Sequence, residues 1–377
     1  MKKVAILTFH RANNYGAVLQ ALALSHVINK LGANCEVLDY RPCKMESFYH
    51  SFIPKVKGVK VFILLLLYFI FRDAKTRRRF AEFRRDTMRV SAQVYRSFSE
   101  LRNANEFYDV FVVGSDQVWN PEIVKECGPD SQFAYLLDFV KDSGKKKSYA
   151  ASIAVSALDD EISVLYREKL SDFSALSVRE HNAAELLSSL LNRHVSAVCD
   201  PVLLMSAKKW MEYERPYKKL LNTDYILVYS VGGGRDLLPY ACQLAAQKRC
   251  VVYTIQPPIV GTSSYCRKQL LTGVGPAEFI WLIRNARAVV TSSFHGSAFA
   301  LLFRKELHVK QQSEIKANHR NSRFDSLFKY FGIQEDYIAC NQVDDIQCKV
   351  LRADMYPQTV LAKNRARSLF FLRCLFE

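Results

Sequence analysis

The chain has 377 residues, of which 49% are hydrophobic and 24% charged; this composition is typical of a globular protein long enough for two domains and excludes a largely disordered one. Its ten cysteines form no C-x-x-C pair and no metal-ligand spacing, and the N-terminus has no secretion signal, so we expect free thiols in the cytoplasm and no zinc site. The formal charge of +16 is compatible with anionic small substrates, an anionic membrane surface or nucleic acid.

The chain opens with a β-α-β pattern. Apolar runs at Val4–Phe9 and Cys35–Tyr40 predict two buried strands, and the 3–4 spacing of apolar residues over Gly16–Leu31 predicts the helix between them. Such a unit builds a parallel sheet that binds ligands at the carboxyl edge of its strands. We therefore expect the loop before the helix to bind a ligand, although an ordinary turn and helix cap would use the same residues. The candidates there are Asn13, Asn14 and Tyr15.

More than half of the excess charge lies in one segment. Residues 55–102 contain thirteen basic and four acidic residues, a net charge of +9. Within them, Val61–Phe71 is an unbroken apolar run of eleven residues, well short of the roughly twenty that a spanning helix needs. We expect a helical insert over about 52–102. The apolar run and the basic residues 72–85 could lie together in the headgroup layer of an anionic membrane. Alternatively, the apolar run could be a buried helix and the basic residues a solvated helix beside it; the sequence favours neither interpretation.

A third strand is predicted at Tyr108–Gly114, and it runs into a polar loop. Asp116 on this loop is a candidate base that would activate a hydroxyl group, although an aspartate in such a loop is as often a helix cap. Further strands are predicted at 133–137 and 147–152. The other polar candidates on the loop are Gln117 and Asn120.

Ala175–Glu180 is a further predicted strand, followed by a helix at 181–191. Arg179 lies at the end of the strand, where its planar guanidinium could hold a carboxylate or phosphate through two hydrogen bonds. The alternative is an ion pair with Glu180 or Asp200.

A second domain is predicted from about residue 221. Its glycine turn, Gly232–Gly234, lacks the G-x-G-x-x-G pattern, so dinucleotide binding has weak support. Strands are predicted at 225–231 and 250–255, and helices at 236–247, 276–286, 323–331 and 360–376.

The stretch from Ala288 to Phe303 carries the main candidate site. The β-branched run Val289–Thr291 predicts a buried strand, and the Ala- and Leu-rich residues 297–303 predict a helix. A strand that turns directly into a helix leaves free N–H groups that favour an anion, with His295 available for proton transfer. The simpler interpretation is that His295 only starts the helix. The polar and flexible residues of this turn are Ser292, Ser293, His295 and Gly296.

Six motifs, in this order, resemble those of the polysaccharide pyruvyl transferase family and cover residues 1 to about 335. They are Asn14-Tyr-Gly-Ala-Val-Leu-Gln20, Gly114-Ser-Asp-Gln-Val-Trp-Asn120, Ser177-Val-Arg-Glu180, Asp200-Pro-Val-Leu-Leu204, Thr291-Ser-Ser-Phe-His-Gly-Ser-Ala-Phe299 and Asn321-Ser-Arg-Phe324.

The resemblance implies an α/β fold with two Rossmann-like domains, GT-B-like, and an active site in the cleft between them. We expect these domains at 1–220 and 221–350, with a C-terminal helix at 351–377. It also implies phosphoenolpyruvate as the donor substrate, with no cofactor and no metal. The acceptor would be a sugar diol of a polysaccharide or a lipid-linked oligosaccharide, and the product a pyruvate ketal. A lipid-linked acceptor would place the protein peripherally on the inner face of the cytoplasmic membrane.

The same resemblance assigns roles to individual residues. Arg179 and His295 match family residues implicated in binding phosphoenolpyruvate and in catalysis, and Lys316 is the nearest match to a basic residue about twenty positions further on. Some relatives have an arginine where this chain has Ser293, so Arg323 or Lys316 would replace that donor contact. A nucleotide-sugar glycosyltransferase of the GT-B type is the alternative function. Nucleic-acid binding is disfavoured, because the charge adjoins an apolar run rather than a recognition motif.

Overall fold

The computed structural model describes residues 1–42, 74–128, 130–155, 157–231, 237–255, 270–310, 322–343, 346–352 and 358–376. The apolar run 61–71 and the donor candidate Lys316 lie outside the described residues, and so does the glycine turn 232–234.

The N-terminal half contains a parallel sheet in the order β3-β2-β1-β4-β5. Its central strands are fully or almost fully buried and rich in Val, Ile and Leu, as strands covered on both faces are. Bridges from β5 to β6 extend it to the short parallel pair β6–β7. The strands are β1 Lys3–Leu7, β2 Asn34–Tyr40, β3 Val90–Tyr95, β4 Val110–Gly114, β5 Lys146–Tyr149, β6 Ser177–Val178 and β7 Ser196–Ala197.

Helices cover both faces of this sheet. They are α1 Tyr15–Lys30, α2 74–87, α3 Phe98–Leu101, α4 Pro121–Cys127, α5 Ser131–Tyr135, α6 Asp160–Ser171, α7 His181–Leu191, α8 Pro201–Leu204 and α9 Ala207–Met211. Single 3₁₀ turns occur at Arg102–Glu106, Ser143–Lys145 and Lys218–Leu220.

The C-terminal half forms a second sheet in the order β12-β13-β11-β10-β8-β9, in which β9, β8, β10 and β11 are parallel and β13 and β12 antiparallel. Its strands are β8 Tyr225–Tyr229, β9 Val251–Thr254, β10 Ala288–Thr291, β11 Glu306–Lys310, β12 Ala339–Val343 and β13 Ile346–Leu351. Its helices are α10 Leu237–Lys248, α11 Pro276–Asn285, α12 Phe294–Leu302, α13 Ser322–Phe331 and α14 Gln358–Cys374, with a 3₁₀ turn at Glu335–Tyr337.

The two halves share a continuous apolar core. Buried side chains of α1 from the first half pack with those of α11 and α12 from the second. The C-terminal helix α14 returns to the first half, where Ser368 Oγ accepts a hydrogen bond from the Cys199 N–H at 2.9 Å. The chain therefore has the expected α/β fold, two Rossmann-like domains in a GT-B-like arrangement. The exact domain boundaries stay predictions.

Two sequence-based predictions were wrong. Residues 131–135 form helix α5, not a strand at 133–137. A five-residue apolar run fits a buried helix as well as a strand, and Trp119 fixes this one by donating its indole N–H to the carbonyl of Tyr135 at 2.9 Å. Val90–Tyr95, inside the predicted helical insert, forms the edge strand β3 beside β2.

The basic helix α2 packs into the body of the protein. Phe80 and Phe83 are buried, and Phe80 lies 5.0 Å from the ring of Tyr15. Arg79 forms an ion pair with the buried Glu278 of α11. Within the described residues, no helix is both long and apolar enough to cross a membrane.

Candidate active site

The site is built where β10 turns into α12. Thr291 Oγ1 donates to the carbonyl of Tyr229 and accepts the Ser293 N–H at 3.0 Å, which fixes the turn against β8. Ser293 is the N-cap of α12 and accepts the Gly296 N–H at 3.3 Å. A Cβ at position 296 would lie 2.8 Å from Thr291 Oγ1, so the glycine lets the helix start close to its own strand. This turn sets the direction of His295, the second residue of the helix.

His295 lies between the two domains. Its residue is 8% exposed, and its Nε2 atom is buried 3.4 Å from Asp200 Oδ2, within ion-pair distance but long for a hydrogen bond. The other side of the imidazole rests on Gly16, at the start of α1 in the first domain; a Cβ there would overlap Nδ1. Nδ1 therefore lies against the start of α1.

Asp200 is the buried partner of His295. It precedes Pro201, and its Oδ1 caps α8 by accepting the Val202 N–H at 3.0 Å. Its Oδ2 accepts the Ser115 hydroxyl at 3.0 Å and Arg179 Nη1 at 2.9 Å. Burial alone would raise the pKa of the carboxyl group, but His295 and Arg179 together hold that pKa well below its usual range. Asp200 is therefore an anion at neutral pH.

Each of the three guanidinium nitrogens of Arg179 donates a hydrogen bond to the protein. Its Nε donates to Glu180 Oε1 at 3.1 Å, and its Nη2 donates to Ser152 Oγ at 3.0 Å. Its guanidinium lies 4.0 Å from the centre of the Phe294 ring, and the residue is 1% exposed. Burial opposes the charge, yet Glu180 and Asp200 raise the pKa of Arg179 above its usual value. The alternative of an ion pair with Glu180 or Asp200 is thus confirmed for both partners.

The predicted acceptor loop before α1 is held by the protein. Asn14 caps α1 by accepting the Ala17 N–H at 3.2 Å, as the helix-cap interpretation predicts. Asn13 accepts a hydrogen bond from Arg84 at 3.2 Å. Tyr15 is buried, stacks on Phe279 at 4.4 Å and donates its hydroxyl to a backbone carbonyl of the second domain. All three residues lie near Gly16, and Tyr15 joins the domains.

The predicted loop after β4 contains one residue that caps a helix and one that lies near the site. Asn120 caps α4 by accepting the Glu122 N–H at 3.1 Å and donates to Gln117 at 2.9 Å. Asp116 has a left-handed backbone (φ 66°), and its carbonyl accepts the N–H of Ser152 at 3.0 Å. Its half-buried carboxylate is close enough to contribute to the electrostatic potential at Arg179. Asp116 is therefore near the centre of the site, whereas the Asn120 side chain is directed at the helix.

The remaining predicted donor residues have different surroundings. Ser292 joins the ends of β10 and β8, because its Oγ donates to Ser230 at 3.2 Å and accepts the Val231 N–H at 3.3 Å. Arg323 is half-buried on α13, a helix that packs against both α12 and α7. The structure therefore brings His295, Arg179 and Asp116 together, with Ser292 and Ser293 building the turn beside them.

Sequence reasoning missed Asp200, Ser115 and Gly16 as members of the site. Each lies within a motif that carries the family resemblance, and each follows a strand or begins a helix at the carboxyl edge of a sheet. That placement was the available signal.

Of three similar solved structures, the one with a TM-score above 0.5 supports the fold. The UDP-GlcNAc 2-epimerase from Neisseria meningitidis bound to UDP-GlcNAc is 11% identical, with 99% of both chains covered and a TM-score of 0.51. A putative UDP-N-acetylglucosamine 2-epimerase from Listeria monocytogenes is 9% identical over 87% of each chain, with a TM-score of 0.49. The UDP-N-acetylglucosamine 2-epimerase from Rickettsia bellii is 7% identical over 99% of this chain and 94% of its own, also with a TM-score of 0.49.

No curated protein sequence gives a significant match. The family model described as polysaccharide pyruvyl transferase, however, matches residues 14–309, which is most of the chain and includes Gly16, Arg179, Asp200 and His295. The chain therefore belongs to the polysaccharide pyruvyl transferase family.

Proposed function

We propose that this protein transfers the enolpyruvyl group of phosphoenolpyruvate to a sugar diol of a polysaccharide or lipid-linked repeat unit, and so forms a pyruvate ketal and releases phosphate. The observation that carries the proposal is the interdomain pair His295–Asp200, with Nε2 beside the buried carboxylate and Nδ1 against Gly16 of the first domain. It supplies one proton-transferring group at the carboxyl edges of both sheets, where such folds bind ligands.

The reaction needs two additions to the same carbon. In the first, a sugar hydroxyl oxygen bonds to C2 of phosphoenolpyruvate, C3 takes a proton from the His295 imidazolium, and the hydroxyl proton passes to a base, for which Asp116 is the candidate. In the second, the C2–O bond to phosphate breaks with both electrons on phosphate. The second hydroxyl then bonds to C2, and its proton leaves with the phosphate. Diol and phosphoenolpyruvate are thereby converted to ketal and phosphate.

The test is to incubate the protein with phosphoenolpyruvate and candidate diol acceptors, and to weigh the product. His295→Ala should abolish transfer, because the imidazole supplies the proton. His194→Ala is the matched control: His194 is exposed, and its Nε2 lies 3.3 Å from the exposed hydroxyl of Ser196. Its turnover should equal that of the wild type. Near wild-type turnover by His295→Ala would refute the site.

A parallel incubation with nucleotide sugars tests the alternative glycosyltransferase function. The similarity to UDP-GlcNAc epimerases at 11% identity concerns the fold, so it does not favour that alternative. A product heavier by one sugar, formed without phosphoenolpyruvate, would overturn the proposed reaction.

We also propose that the protein works at the inner face of the cytoplasmic membrane, where a lipid-linked acceptor would be found. The surface that supports this is the outward face of α14, which carries Phe370, 71% exposed, among the exposed cations Lys363, Arg367 and Arg373.

A further inference from the structure

We propose that Asp200 is the positioning residue of His295, and that Arg179 acts on the reaction by holding Asp200 rather than by binding the donor. This inference rests on the proposed function for its activity measurements, but it also has a readout that needs no substrate.

The Asp200 carboxylate is a rigid anchor. Its two oxygens interact with groups from four separate parts of the chain: Ser115 after β4, Arg179 after β6, the Val202 N–H at the start of α8, and His295 in α12. A carboxylate fixed from so many directions has one orientation, so the imidazole beside it also has one. This orientation places Nε2 at Asp200 and Nδ1 against Gly16 of α1.

The contacts of Arg179 argue against direct binding of phosphoenolpyruvate. Each of its three guanidinium nitrogens already donates to a protein oxygen, on Glu180, Asp200 and Ser152, and Phe294 covers one face of the group. Because the residue is 1% exposed, it has almost no surface on which phosphoenolpyruvate could bind. Its tight contact with Asp200 Oδ2 instead connects it to His295 through the shared oxygen.

The charges of the cluster suit this role. Arg179 contributes one positive charge, and Glu180 and Asp200 contribute one negative charge each, so a proton on His295 brings the buried group to neutrality. Five other titratable groups of the described chain act on this cluster: Asp116 from the β4 loop, Tyr149 on β5, Cys199 next to Asp200, Tyr229 at the end of β8 and Tyr330 on α13. Burial raises the pKa of the three tyrosines and of the Cys199 thiol, so these groups stay neutral near pH 7 and Asp200 is the carboxylate in contact with the ring.

The decisive variant is Asp200→Asn, which keeps the size of the side chain and removes its charge. We expect kcat to fall by about 100-fold or more, because a misoriented or unprotonated imidazole transfers its proton poorly. The KM for phosphoenolpyruvate should change less than about threefold, and the alkaline limb of the kcat/KM profile should move to lower pH. Ser115→Ala, a milder variant that keeps the carboxylate, should lower kcat by about threefold to tenfold, again without changing KM.

The chain offers a matched control in His10–Asp39, a second buried pair with Nε2 3.2 Å from Oδ1. Asp39→Asn should leave the pH profile in place, even if it lowers stability as much as Asp200→Asn does.

A double-mutant cycle tests the role of Arg179: Arg179→Met should add little to the loss of kcat already caused by Asp200→Asn. A large rise in KM for Arg179→Met, or additive losses in the cycle, would overturn the inference and make Arg179 a donor ligand.

The substrate-free readout is the nitrogen-15 NMR spectrum of the His295 imidazole, assigned with His295→Gln. The Nε2 signal should shift in Asp200→Asn and stay in place in Asp39→Asn, because Nε2 lies 3.4 Å from the Asp200 carboxylate. If the wild type does not use phosphoenolpyruvate, the proposed function fails, and this spectrum still tests the positioning role. An unchanged Nε2 signal in Asp200→Asn would overturn the positioning role.

Discussion

At the scale of single residues, Gly16 shows how closely the first domain approaches His295. Gly16 is the second residue of α1, a position where alanine would favour the helix by about 0.8–1 kcal/mol over glycine. A Cβ there would, however, overlap the imidazole of His295. The steric effect should outweigh the helix propensity, because the buried ring has no room to retreat from α1 without leaving Asp200.

We therefore expect Gly16→Ala to lower kcat by about tenfold or more, since a shift of about 1 Å in a catalytic group costs that much or more. Steady-state kinetics with phosphoenolpyruvate measure it. Gly144→Ala is the control, because its Cβ would meet only the Asp142 carboxylate tip on an exposed turn. Full turnover by Gly16→Ala would mean that catalysis does not depend on the observed position of the His295 ring.

At the scale of elements, α2 is the part of the basic segment that joins the domains. Glu278 of α11 is 1% exposed and receives Arg79 at 2.6 Å, with the Gly275 N–H at 2.9 Å and Arg215 at 3.7 Å as further partners. The next residue of α2, Phe80, packs against Tyr15. The helix thus contacts both α1 and α11, and the Arg79 pair is the polar half of that contact.

Arg79→Met should destabilise the protein by about 2–3 kcal/mol, somewhat less than breaking a fully buried pair costs, because Arg79 is a quarter exposed and Arg215 remains near. Chemical denaturation measures the change. The matched control is the neighbouring Arg78→Met, which removes an exposed i,i+4 pair with Glu82 and should leave the midpoint almost unchanged. Equal effects from the two variants would show that the buried pair is not special.

Periodicity predicted the long, strongly patterned elements well. Helix 181–191 lies where the sequence places it, because eleven residues with one apolar face fit few structures. The strand at β10 is also where it was predicted, but α12 begins at Phe294 rather than at 297, so His295 and Gly296 lie in the helix and not in the turn before it. The short elements were less predictable. Ser131–Tyr135 is helical because of contacts such as that from Trp119, and β3 is an edge strand whose polar face resembles the surrounding charged segment. Both depend on tertiary partners that a local window does not contain.

The sequence predicted several residues of the site better than it predicted the contacts between them. His295 and Arg179 could be chosen because each follows a strand, and both are in the buried cluster. The sequence offered Asp200 as one possible ion-pair partner of Arg179, but not its contact with His295, which joins positions 200 and 295 in different domains. Asn14 and Asn120 were predicted to bind the acceptor because each is polar and follows a strand. In the structure, each side chain caps a helix instead. A sequence shows which polar groups are available but not which backbone groups already use them.

At the scale of the whole molecule, the positive charge is distributed differently from what the sequence suggests. In α2, Arg78 and Arg85 pair with neighbouring acids, Arg79 is held by Glu278, and Arg84 is buried against Asn13. The arginines of this helix are therefore largely used within the fold. Helix α14 contains four basic and no acidic residues, and of these only Arg365 turns inward, to the carbonyls of Leu203 and Met205, among the residues that the structure describes.

The outward face of α14, formed by Lys363, Arg367, Phe370 and Arg373, should therefore carry membrane binding. Each cation near an anionic surface contributes roughly 1 kcal/mol, so three cations and a partly inserted phenyl ring give reversible binding that weakens as salt rises. Co-sedimentation with anionic vesicles at low salt measures it. Reversing Lys363 and Arg367 to Glu should weaken binding by about tenfold or more. Arg78→Glu on α2 and Lys125→Glu on α4 should have much smaller effects. If Arg78→Glu reduces binding most, α2 is the contacting surface; if the wild type ignores anionic vesicles or binds neutral ones equally, the protein does not work at the membrane surface.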